Sequence, residues 1–133
     1  MRTPPIPCPH GVRAPDPAVY AMQNDAFRRH VCLDVPFPAD MPDLDGGLVI
    51  GAGVRRGGLP FVLACLEAVG RSVAFPAESD PNGHRDRGSV AVQGQAVWFV
   101  IDAHGRDMRF GSPAPDDPAR TSRTLSLLLP SDW

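Results

Sequence analysis

Ser89-Val90-Ala91-Val92-Gln93-Gly94-Gln95-Ala96-Val97-Trp98-Phe99-Val100-Ile101-Asp102-Ala103 carries the strongest structural signal in this chain. Two runs rich in β-branched and aromatic side chains flank Gln93-Gly94, a pair suited to a tight turn. Strands are therefore predicted over residues 89–92 and 96–103, joined as a hairpin in an antiparallel sheet with one buried face. Neighbouring side chains on a strand point to opposite sides, so one of Trp98 and Phe99 must face outward. Further strands are expected over residues 48–50, 72–75 and 124–129.

Two helices precede the hairpin. Asp16-Pro17 offers an N-cap followed by a proline at the first helical position, and Val19, Met22, Ala26 and Phe27 form a narrow apolar stripe through about Arg29. Arg28 and Arg29 close that helix where cations complement its dipole. Leu59-Pro60-Phe61-Val62-Leu63-Ala64-Cys65-Leu66-Glu67-Ala68-Val69 is apolar on nearly every face and reads as a buried helix with Gly70 as its C-cap. Together these elements predict an α+β domain, a mainly antiparallel four- to five-stranded sheet with two helices packed on it.

The remainder of the chain is loop-rich, in keeping with 16 prolines. Residues 1–15 hold five of them and are expected to form an extended arm ahead of a single domain over residues 16–133. Residues 33–47 form a predicted surface loop with Asp34, Asp40, Asp43 and Asp45 and no basic residue. Gly51-Ala52-Gly53-Val54-Arg55-Arg56-Gly57 lacks the lysine and hydroxyl of a phosphate loop, and is read as a sharp turn into the second helix.

A net charge of −2 supplies no general attraction for nucleic acid, so direct nucleic-acid binding is not expected. All 13 basic residues are arginine, most simply a mark of GC-rich coding. With neither a long apolar run nor a leader pattern, the expected compartment is the cytoplasm, with no membrane partner. Three cysteines then fit reduced thiols there. Cys8-Pro9-His10 mirrors His30-Val31-Cys32 and would offer zinc two sulfurs and two nitrogens, but the spacing is not that of paired structural ligands. No metal or cofactor is expected; Cys32 and Cys65 read as core fillers and Cys8 as a free thiol.

The last 56 residues also carry a recognisable pattern. Asp80-Pro81-Asn82-Gly83-His84-Arg85-Asp86-Arg87-Gly88, then Val97-Trp98-Phe99-Val100-Ile101-Asp102, then Gly111-Ser112-Pro113-Ala114-Pro115-Asp116-Asp117-Pro118, resemble a family catalogued as domain of unknown function 3768. Gln23-Asn24-Asp25-Ala26-Phe27-Arg28-Arg29 is similar to its L-N-D-A-F-R-R segment, and the resemblance covers about residues 17–133. Asn82, His84, Arg85 and Arg87 stand where that family has Tyr, Glu, His and Phe, which implies that any catalytic centre in the turn is altered here.

The resemblance implies a bacterial, mobile-element setting, and with it a non-enzymatic accessory protein that docks on a host protein or ribonucleoprotein defence complex, in the manner of an anti-CRISPR or antirestriction inhibitor. The residues expected to bind are Asp40, Asp43 and Asp45 in the acidic loop, Arg85 and Arg87 in the turn, and Trp98, because Trp and Arg are enriched among interface anchors. The alternative is a small metal-dependent or acid/base enzyme using His84, Asp86, Asp102 and His104, with Asp80 in the same turn. Residues two apart on extended backbone share a face, and two His with two carboxylates suit a divalent metal.

Overall fold

The computed structural model describes residues 14–132. In chain order it contains α1 (Pro17–Leu33), β1 (Asp45–Ile50), α2 (Ala52–Arg56), α3 (Leu59–Arg71), β2 (Arg87–Val92), β3 (Gln95–His104) and β4 (Ser122–Leu128). Short 3-10 turns lie at Pro118–Arg120 and Pro130–Asp132. The class is α+β, as expected, but three helices pack on a four-stranded mixed sheet rather than two on a mainly antiparallel one. The expected extended arm falls mostly on residues 1–13, outside the described residues.

Strand order is β1-β4-β3-β2. The hairpin forms as predicted: Val92 pairs with Gln95, and Gln93 and Gly94 both adopt left-handed backbone, with φ of 51° and 79°. This is the pair of positive φ values that a two-residue turn needs to follow the twist of its strands. The mixed character comes from the first strand, which lies parallel to β4 with Leu48 opposite Leu125 and Ile50 opposite Leu127. A parallel pair needs a long crossover, and here the two further helices and the whole hairpin separate its members.

Residues 72–75 form no strand. The segment leaves α3 and carries Phe75 edge-on against Phe99, at a centroid separation of 6.1 Å. Glycine also acts differently from expectation at the end of α3, which continues through Gly70 to Arg71. A Cβ at Gly70 would lie 2.5 Å from Leu33 Cγ and 2.9 Å from Cys32 Cβ, so its role is to let α1 and α3 approach closely. The expected turn after β1 is itself the short helix α2. Asp132 fastens it, its carboxylate accepting from Gly53 N at 2.7 Å and from Leu129 N at 2.9 Å. Those backbone bonds, Leu129 foremost, hold the Asp132 carboxyl below its usual range.

One face of the sheet meets the helices. Val97, Phe99 and Ile101 of β3 and Leu125 and Leu127 of β4 join Phe27 of α1, Val54 of α2, and Phe61, Cys65 and Val69 of α3 in a continuous core. The strand period resolves the choice between the adjacent aromatics: Phe99 is 0% exposed and Trp98 is 39% exposed on the opposite face. Truncating the two should therefore have unequal consequences. Phe99→Ala is expected to cost about 3–5 kcal/mol in urea unfolding, and Trp98→Ala about 1 kcal/mol or less.

Candidate functional site

The face that α1 turns inward is unusually polar. Tyr20, Gln23, Asn24, Asp25, Phe27 and Arg28 are its buried residues, whereas Met22 is 56% exposed. Arg28, expected to complement the helix dipole, is fully buried. Its Nε donates to Val69 O at 3.1 Å and its Nη2 to Ser72 O at 3.0 Å, which satisfies carbonyls at the end of α3. The guanidinium lies over the rings of Phe75 and Phe99, at 5.0 and 5.7 Å.

A second fully buried guanidinium comes from Arg123 on β4. It donates from Nε to Asn24 Oδ1 at 3.0 Å, and from Nη2 to Gln23 Oε1 at 2.8 Å and Pro115 O at 3.3 Å. Its carbon lies 5.4 Å above the Tyr20 ring. Asn24 in turn donates to His84 O at 3.0 Å, and Gln23 to Asp116 O at 2.9 Å. Burial pushes both guanidiniums below their usual range, with Asp25 opposing the effect at Arg28 and Tyr20 and Asp116 opposing it at Arg123. Asp25 balances two cations, reaching Arg28 Nη2 at 2.9 Å and Arg85 Nη1 at 2.6 Å.

The turn before β2 is built around Asp80, whose carboxylate accepts from the backbone of His84 and Arg85 at 3.1 Å. Arg85 sits there with a left-handed φ of 53°. The residues weighed for chemistry are only partly gathered. His84 meets Tyr20 edge-on at 5.1 Å, and Asp86 and Asp102 both bear electrostatically on Tyr20. Burial, more than these carboxylates, raises the Tyr20 phenol above its ordinary value. His104 ends β3, bridged to Gly111. Among the described residues no three His, Cys, Asp or Glu side chains are grouped to hold a metal.

Each residue expected to bind has a definite place. Arg85 is engaged by Asp25 and lies 5.6 Å from the Phe75 ring. Arg87 opens β2 opposite Val100, and its Nε is 3.6 Å from Asp86. Register puts Arg87 on the face of the sheet that carries Trp98. Rows across this face run Val49, Ser126, Val100, Arg87 and then Leu128, Trp98, Ser89. Val49 is 50% exposed. Asp40 and Asp43 are exposed in the loop before β1, and Asp45 opens that strand. The loop is not without a cation: Arg106 Nη1 lies 3.6 Å from Asp45.

The zinc reading rested on Cys8 and His10, which lie outside the described residues. His30 stacks on Phe37 at 4.2 Å, its Nδ1 at 3.0 Å from Val35 O, and burial pushes the Cys32 thiol up to about 11. Among the described residues no helix is long and apolar enough to cross a membrane.

A family model described as Protein of unknown function (DUF3768) matches residues 52–132, from the start of α2 to the turn that fastens it. No curated protein and no solved structure matches.

Two outcomes follow from the buried charges. Asp25→Ala strands Arg28 in the interior and should cost about 3–5 kcal/mol in urea unfolding, whereas Arg85→Ala removes a half-exposed partner and should cost about 1 kcal/mol or less. Cys32 gives the pH dependence its sign. Between its ordinary 9 and about 11 the unfolded chain releases this proton while the folded chain keeps it, so stability falls as pH rises through that window. Cys32→Ala should flatten the decline in urea midpoint measured across it.

Proposed function

The chain belongs to the DUF3768 family of proteins of unknown function, and from that premise we propose that it is a non-enzymatic binding protein that docks on another protein. Trp98 carries the reading: it stands 39% exposed on the sheet face opposite the helices, among Val49, Val100 and Leu128. A large ring on a rigid strand offers contact area at little entropic cost, and Arg87 beside it adds a planar cation. The polar groups of the family-like segments point the same way. Asp80 holds backbone amides, and Asn24, Asp25, Arg28 and Arg123 are occupied with one another and with the fold.

The proposed partner is a host protein or ribonucleoprotein defence complex, met in the cytoplasm. The proposed action is inhibition by covering a surface, of the anti-CRISPR or antirestriction type, as the mobile-element setting suggests. Asp40 and Asp43 would add an acidic rim that speeds encounter with a basic partner.

A photo-reactive amino acid at position 98 should crosslink the partner in the host, and one at the exposed helical position 63 should not. With the crosslinked protein purified, Trp98→Ala should weaken binding roughly tenfold or more at unchanged fold. Full activity in Trp98→Ala together with loss in His84→Ala or Asp102→Ala would select the enzyme reading instead.

A further inference from the structure

A second surface lies where the chain leaves β3. Residues 105–111 close on themselves: Gly105 N donates to Phe110 O at 2.9 Å, Met108 N to Gly105 O at 2.8 Å, and Arg109 N to the Asp107 carboxylate at 3.1 Å. The closed loop displays Phe110 at 71% exposure, with the Arg109 guanidinium 6.0 Å from its ring. Opposite stands the turn Pro118–Arg120, held by the Asp117 cap on Ala119 N at 3.0 Å and by Arg106 Nη2 donating to Pro118 O at 3.0 Å. Between these walls is an open groove of about 540 Å³, lined by Phe110, Pro113, Ala119, Arg106 and Arg120.

The charges of the groove are unequally committed. Arg106 is spent on Asp45 and Pro118. Among the described residues the guanidiniums of Arg109 and Arg120 make no hydrogen bond and no ion pair, whereas the one carboxylate in the lining, Asp107, caps Arg109 N. An apolar floor therefore carries one uncommitted cation in its lining, Arg120, and a second, Arg109, stands beside it against the Phe110 ring.

We propose that this groove binds an acidic segment of a partner protein: a short run of Asp or Glu bearing one bulky apolar side chain. The apolar side chain packs on Phe110 and Pro113, and the carboxylates pair with Arg109 and Arg120. Arginine suits this task because its planar fork donates two parallel hydrogen bonds to a carboxylate. Nucleic acid fits less well. Asp107 and the adjoining cleft of Asp43 and Asp117 confine negative charge to the arginines, which a short segment with few carboxylates and an apolar side chain can match and a phosphate backbone, charged at every step, cannot. The assignment goes beyond the docking reading at Trp98 and stands or falls separately from it.

Labelled short peptides, each with glutamates around one leucine or phenylalanine at varied position, would be titrated by fluorescence anisotropy. Their glutamine counterparts and an oligothymidylate of similar length complete the probe set. Saturable binding of glutamate peptides is expected, with glutamine counterparts, Arg120→Glu and Phe110→Ser each weakening it roughly tenfold or more. Arg71→Glu, on the exposed surface of α3, should leave it unchanged. Thermal midpoints would confirm that the variants fold, since both groove side chains are exposed. Glutamate peptides that bind no better than their glutamine counterparts would overturn the proposal. So would binding that survives both groove substitutions, or oligothymidylate binding that is tighter and lost with the same substitutions.

Discussion

Two guanidiniums without contact with solvent set the terms for this fold. A buried cation is costly unless its donors are met and its charge is offset, and Arg28 and Arg123 recruit their surroundings to meet all but the Nη1 of each. Arg28 draws in the end of α3, Asp25 and the rings of Phe75 and Phe99. Arg123 draws in Gln23, Asn24 and the loop at Pro115. The packing of α1 is thus specified by hydrogen-bond geometry as much as by apolar area. Hydrophobic contact tolerates sliding by a fraction of a turn, whereas a guanidinium held by particular carbonyls does not.

That constraint explains what the sequence revealed and what it concealed. The hairpin was legible because Gln93-Gly94 and the β-rich runs around it agree with one another locally, and so were the starts of α1 at Asp16-Pro17 and of α3 at Leu59, though not the end of α3. The inward face of α1 was not, because hydropathy favours Val19, Met22 and Ala26 over the buried Tyr20, Gln23, Asn24 and Arg28. A clue existed in their spacing, since Tyr20, Asn24, Phe27 and Arg28 recur at helical intervals and share a face. The parallel pairing of β1 was hidden for another reason: it is set by contacts with β4, far away in sequence, and leaves no local pattern. Residues 72–75 read as a strand by composition, yet Phe75 is held by tertiary packing in an extended connection.

The candidate surfaces were legible in part. Strand alternation required one of two adjacent aromatics to face outward, and the core chose Trp98. Arg85 looked like a free cation in a polar turn, because Asp25 sits 60 residues earlier. The acidic loop looked uncompensated for the same reason, its neighbour Arg106 arriving from the far side of the hairpin. Long-range ion pairs of this kind belong to topology, and a single sequence exposes the charges without their pairing.

The position of β4 has a consequence for how the chain comes together. It lies between β1 and β3, so both flanking strands depend on it for hydrogen-bonding partners, yet it is the last strand in sequence. During synthesis the hairpin can zip early from purely local contacts, while β1 and the inward face of α1 must wait for Arg123 and its strand to emerge. Until then Gln23, Asn24 and the edge of β1 lack their native partners, and the nascent chain is most exposed to mispairing during that interval. Completion of the sheet and hydrogen bonding of Gln23 and Asn24 to Arg123 are one event, brought about by β4.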